Sequence, residues 1–293
     1  MKTILTFLFS IFFIALSFGQ SNYIEYAVNM RVVRKMLLNE EYEAAYDKFK
    51  ASTENFDYVK IDDLRLFSAI CLNVGKCDEG LQAYQQAVSR GFDFNDDYLE
   101  FFKQKCTNFN REFEDILIDL KSDYLGKLNI SYRDSVLKYY QLDQNVRRRY
   151  NAGLCTDIEL KTTDSIVINS IWPFIEKYGI GDERLIGLDA ANNLFIILLH
   201  FDADQSNNLG PYLLDALMNG KIKPENYAWI IDRRRVWGNH LKPYYYQIPN
   251  GVDKLDNKEI EEINRRRSII GCRSLAEFDI KRENDGTWIM KEK

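Results

Sequence analysis

The feature that most constrains this chain is an internal echo. LNEEYEAAYDKFKAS at 38–52 is answered by NVGKCDEGLQAYQQA at 73–87, about 35 residues on. Each begins with a short turn, Asn39-Glu40 in one and Val74-Gly75 in the other. Each then sets a small residue, Ala45 or Gly80, four positions before a ring, Phe49 or Tyr84. A period of this length marks stacked helix–turn–helix units, none of which can bury its apolar face alone. The small residue lets paired helices approach, and the ring fills the gap one turn on. Leu64, Phe67, Ser68 and Cys71 give the second unit its first helix, at i, i+3, i+4, i+7 spacing. With five prolines in 293 residues, long helices are expected throughout.

Between about residues 30 and 92 this pattern resembles tetratricopeptide repeats. Gly75, Gly80, Tyr84 and Ala87 fit, whereas Leu64 replaces the usual tryptophan and Glu40 stands where the turn glycine belongs. The resemblance implies a helical region over 22–128, with 93–128 as a closing helix. Such a region either binds a protein partner or serves as a scaffold against the next domain.

The first residues, MKTILTFLFSIFFIALSFGQ, read as a targeting segment. Lys2 supplies a positive start, Ile4 to Leu16 an apolar run too short to span a bilayer comfortably, and Ser17-Phe18-Gly19 a small-x-small cleavage signal. A signal peptide over 1–19 predicts an exported chain, periplasmic or extracellular, with no stable membrane span after cleavage. Five cysteines follow, at 71, 77, 106, 155 and 272. An oxidising compartment permits disulfides, but an odd count leaves at least one thiol over. No CxxC is present, and Cys71 and Cys77 sit at repeat packing positions, which favours buried thiols. A net charge of -5 speaks against a nucleic-acid partner, which needs a basic face.

Past residue 130 the helical patterning continues. Ser131 with Asp134 makes a helix start. On the helix that follows, Val136, Tyr140, Asp143, Arg147 and Tyr150 share one face, and Asp143 and Arg147 are spaced for an i,i+4 ion pair. Ile168, Ile171, Trp172 and Ile175 form an amphipathic helix ending at Gly179. Residues 189–201 are apolar around most of the circumference and read as the central buried helix, with His200 near its end. Helices from Pro211 to Asn219, from Pro224, and from Asp256 to Gly271 follow. In the tail, 279–293, Asn284-Asp285-Gly286 signals a turn in a short hairpin. The expected fold is mainly α: tetratricopeptide-like hairpins, then a helical domain over 130–278 with a short extended or hairpin segment near the C-terminus.

Asp143-Gln144 with Arg147, Tyr178-Gly179, Ile186-Gly187, His200 with Asp202, Asp232-Arg233, Tyr244 with Gln247, and Arg267 with Gly271 occur in that order. Together they resemble a bacterial domain family of unknown activity with the pattern DQxxR, YG, VG, QHAD, DR, YGTQ and RxxxG. The resemblance implies a fold and a residue set without a reaction. Leu199 stands where that pattern has glutamine, and Tyr245-Tyr246 where it has Gly-Thr.

Familiar catalytic motifs are missing: no GxSxG, HExxH, GxxxxGK[ST] or GxGxxG occurs. His200 and Asp204 could converge on a helix face while Asp202 points elsewhere, a thin donor set, so neither metal nor cofactor is expected. RRR triplets at 147–149, 233–235 and 265–267 are more suggestive, because guanidinium forks suit carboxylate or phosphate. Arg147, Arg233 and Arg267 with His200 and Gln247 would make an anion pocket; alternatively, Asp143–Arg147 and Asp232–Arg233 are internal contacts that lock the bundle. His240 matches no position of the pattern and reads as a surface or packing residue. The Tyr244–Tyr246 run is either a binding surface or an edge packed on the helices.

Two functional readings follow. One is a non-enzymatic protein-interaction or ligand-binding protein of the bacterial envelope. The other is a hydrolase-like enzyme with His200 as general base, oriented by Asp232, and with Arg233 and Arg147 holding a small anionic substrate. Asp143, Gln144, Asp202, Gln247 and Arg267 complete the candidate ligand set.

Overall fold

Asn22 opens the first helix by accepting the amides of Ile24 and Glu25 on its side chain. The computed structural model describes residues 22–93, 96–107, 109, 111–200, 208–238, 241–245, 255–275, 280–282 and 288–290. The targeting segment and most of the tail lie outside them. In the N-terminal region α1 (Tyr23–Leu38), α2 (Tyr42–Thr53), α3 (Ile61–Asn73), α4 (Cys77–Ser89), α5 (Asp96–Lys105) and α6 (Arg111–Tyr124) follow in order. Helix α1 packs on α2, α3 on both α2 and α4, and α4 on α6.

The echo in the sequence sets this packing. Phe49 of α2 stacks on Phe67 of α3 with centroids 4.2 Å apart. A Cβ on Gly80 would sit 3.2 Å from both Cys71 Cβ and the Ser68 carbonyl, so a small residue is what lets α3 and α4 close. At the matching turns Gly75 has φ 73° and Glu40 φ 61°. Glu40 therefore holds a left-handed conformation that costs an L-residue roughly 1–2 kcal/mol.

Residues 93–128, expected as one closing helix, are two helices and a short 3-10 turn at Leu125–Lys127. The break falls at Cys106, whose carbonyl accepts the Phe109 amide at 3.2 Å. Cys106 is disulfide-bonded to Cys77 at the head of α4, where the sequence suggested a buried thiol. The partner lies 29 residues away, beyond any local pattern. Cys71, Cys155 and Cys272 keep free thiols. Burial pushes Cys71 and Cys272 up to about 12, leaving both inert at neutral pH.

The second half contains α7 (Ile130–Asn151), α8 (Asp157–Tyr178), α9 (Leu188–Leu199), α10 (Leu209–Met218), α11 (Pro224–Arg233) and α12 (Asn257–Ile269). Helix α7 is capped by Asn129, not Ser131; its side chain accepts the Tyr132 amide at 3.0 Å. Capping boxes open α8 at Thr156 with Glu159 and α12 at Asp256 with Glu259. Leu194, Ile197, Leu198 and Leu199 of α9 sit in a core with Ile168, Ile171 and Ile175 of α8 and Leu213 and Leu217 of α10. Strands β1 (Ile280–Arg282) and β2 (Trp288–Met290) pair antiparallel. No helix among the described residues is long and apolar enough to cross a membrane.

The two halves are joined by a polar seam. Glu183 accepts the Tyr58 hydroxyl at 2.8 Å and the Ile61 amide at 3.0 Å. Burial raises this carboxyl, and those two hydrogen bonds oppose the rise. Alongside it Tyr26 donates to Asp63 at 2.7 Å, Lys223 pairs with Asp62, and Arg31 reaches the Gly271 carbonyl.

Two outcomes follow for stability. Glu40→Gly should raise the urea midpoint by the equivalent of about 0.5–1 kcal/mol, because it relieves the left-handed turn. Cys106→Ala should lower stability by about 3 kcal/mol, and unreduced peptide mapping should recover Cys77 and Cys106 in one linked species.

Candidate functional site

Three helices bring their polar residues to one point. Asp143 lies on the buried face of α7 beside Val146, with 1% of its side chain exposed. One turn on, Arg147 donates Nε to Asp143 Oδ1 at 3.1 Å, the i,i+4 geometry their spacing implies. His200 caps the C-terminal end of α9 and brings Nδ1 to 3.0 Å from both Asp143 oxygens. Gln144 donates Nε2 to Asp143 Oδ2 at 2.7 Å. Arg147 also reaches Asp164 of α8 through Nη2 at 2.5 Å.

Asp164 escaped the sequence reading, although a signal was present. It lies four, seven and eleven positions before Ile168, Ile171 and Ile175, so it is a carboxylate on the buried stripe of α8.

Arg147 Nε also stands 2.8 Å from His200 Nδ1, so one arginine proton has two acceptors in reach. An ionised carboxylate is the stronger acceptor. With Nδ1 protonated the ring donates to Asp143; with Nδ1 bare it accepts Arg147 Nε, so the tautomer decides which of the two contacts is made. The His200 side chain is 15% exposed.

Electrostatics agree with a charged Asp143. Burial works to raise its carboxyl, but the hydrogen bond and charge of His200, with Arg147, outweigh it and hold Asp143 below the usual carboxylate value. Asp164 goes the other way: burial raises it, and Arg147 offsets only part. Arg233, at the end of α11, is lowered by burial and then by Arg147, with Asp164 and Asp143 opposing. Arg233 thus lies within the field of this cluster.

The remaining candidates divide. The carboxylate against His200 is Asp143 and not Asp232. Asp232 is fully buried and accepts the amides of Tyr244 at 2.6 Å and Tyr245 at 2.8 Å through Oδ1. Arg267 is likewise fully buried and donates to the carbonyls of Tyr245 and Arg273, at 2.6 and 2.5 Å. These two residues clamp the segment after α11 from either side, so Arg267 is taken up by backbone and does not join Arg147 in an anion pocket. Leu199 is buried in the C-terminal core. Asp202, Asp204, His240, Tyr246 and Gln247 lie outside the described residues. Among the described residues no group of three or more His, Cys, Asp or Glu side chains could hold a metal ion.

Comparison of the chain with protein-family models, curated proteins and solved structures finds no match.

The opposed shifts of Asp143 and Asp164 set a pH signature. Asp143 is held below its unfolded value near 3.9, so its stabilisation is complete above that pH and drains away as pH falls through the lower folded value. Asp164, raised by folding, costs stability above its folded value and is relieved on acidification. Asp143→Ala should cost about 3–5 kcal/mol at pH 7, the cost of breaking a buried pair. The gap to the parent in urea unfolding should shrink toward about pH 3, below the unfolded carboxylate value.

Proposed function

We propose that this chain is an exported protein of the bacterial envelope whose C-terminal half acts on a small anionic substrate, with His200 as general base. The observation that carries this reading is the Asp143 carboxylate on His200 Nδ1 at 3.0 Å. In this reading Asp143 draws the ring proton to Nδ1, which leaves the Nε2 lone pair to take a proton from a water or hydroxyl nucleophile, and it stabilises the imidazolium that results. Arg147, held between Asp143 and Asp164, is a positioning residue. Arg233 supplies the positive potential for the substrate's anion. Asp143, Gln144, Arg147, His200 and Arg233 are also residues that the ordered bacterial pattern marks. Export is supported by the N-terminal apolar run after Lys2 and by the Cys77–Cys106 disulfide, a bond at home in an oxidising compartment.

A second reading concerns the helical hairpins, whose likeness to tetratricopeptide repeats points to a protein partner. A cleft of about 730 Å³ lies between α2, α3 and α4, lined in part by Asp47, Lys50, Glu54, Phe67, Glu79 and Gln86. With Phe49 and Gln82 also in its lining, this mixture of charge, amides and two rings suits an amphipathic peptide segment.

Nitrogen NMR of the chain labelled at histidine tests the first reading. His200 in its neutral form should show the Nδ1-protonated pattern, and Asp143→Asn should weaken that preference. On a panel of small anionic esters, His200→Gln should lower kcat by about 10²–10⁴-fold with the fold retained. An Nε2-protonated His200, or turnover indifferent to His200→Gln, overturns the general-base role.

A further inference from the structure

Arg235 and Arg266 come from different arginine triplets, yet both lie over the Tyr244 ring. Their guanidinium carbons are 5.3 and 4.4 Å from its centroid. A guanidinium laid on a ring spends its face and leaves its in-plane N–H fork for other partners. Arg266 uses none of that fork among the described residues, and its Nε is fully buried without an acceptor. Arg235 makes a single donation, from Nε to the Lys242 carbonyl at 3.2 Å.

Around this ring is a cavity of about 370 Å³, lined among others by Arg235, Lys242, Tyr244, Lys258, Glu262 and Arg266. Its two carboxylates are held first by other partners, while the charge of Glu262 also reaches Arg266. Glu262 forks Arg265 with two contacts of 2.8 Å, and Glu259 closes the capping box with Asp256. Arg235, Lys242, Lys258 and Arg266 therefore line the space with no carboxylate in ion-pair distance among the described residues. The floor is firm: the Tyr244 amide is held by the buried Asp232.

We propose that this cavity is an oxyanion site for a phosphate-bearing small molecule, built from residues that take no part in the His200 cluster. Four cations exceed what one carboxylate neutralises, whereas a phosphate group brings close to two negative charges and several strong acceptor oxygens. The two forks over Tyr244 can each take a pair of those oxygens, and Lys242 and Lys258 act at the rim as point charges.

Calorimetric titration of inorganic pyrophosphate into the full chain tests the assignment. Saturable one-site binding that weakens with added salt is expected. Arg266→Gln and Arg235→Gln should each weaken it by about 10-fold or more, the loss of a charge-assisted contact. The exposed rim variant Lys258→Gln should weaken it by about 3-fold, a reading that survives if an arginine variant misfolds. Arg148→Gln, an exposed arginine of the first triplet, and His200→Gln should leave the affinity within about 2-fold. No saturable heat up to about 10 mM overturns the site, as does an equal loss in Arg148→Gln, which marks diffuse surface charge. A loss in His200→Gln with Arg266→Gln silent moves the anion to His200 and overturns the separate site. Because the His200 tautomer is read without ligand, either assignment can fail while the other stands.

Discussion

A carboxylate with almost no water must be given as many partners as it has lone pairs, and Asp143 shows what that demands. His200, Arg147 and Gln144 all turn to it, and they come from α7 and from the end of α9. Taking an ionised carboxyl out of water costs several kcal/mol unless such donors replace the solvent. Asp143 therefore dictates where α9 may end and how α7 lies against it. It also draws Arg147 into reach of Asp164 on a third helix. The same constraint that closes the bundle leaves an imidazole whose Nδ1 meets both a carboxylate and a guanidinium.

Arginine is used in three ways within this half. Arg147 bridges two carboxylates, Arg267 satisfies backbone carbonyls in the interior, and Arg235 and Arg266 lie on a tyrosine ring. Runs that look alike in the chain are dealt out by helical geometry, since neighbours on a helix point about 100° apart. A triplet thus cannot deliver one chemistry to one place.

What the sequence reveals here is what is local. The 35-residue echo, the i,i+4 spacing of Asp143 and Arg147, and the capping residue Asp256 each operate within a turn or two, and each has its counterpart in the fold. The contact between Asp143 and His200 spans 57 residues and two helices, so no spacing rule announces it. Asp232 was expected to orient His200, but its Oδ1 accepts amides 12 and 13 residues ahead, set by how the chain turns after α11. Cys77 was misjudged for the same reason, while Cys71 is the buried thiol expected: a packing position in a repeat says nothing of a second cysteine delivered by later chain.

The seam at Glu183 has a consequence for the order in which the molecule comes together. The Ile61 amide that Glu183 accepts was made 122 residues earlier. The disulfide, by contrast, needs only the 29 residues between its cysteines. The hairpins and their staple need only nearby chain, whereas Tyr58 and Ile61 find their partner Glu183 in the second half. Closing so long a loop is entropically late, since non-local contacts are rewarded only after the chain between them is confined. Contacts across the seam therefore carry a larger loop-closure cost than those within the hairpins, and a change at Glu183 is felt by both halves.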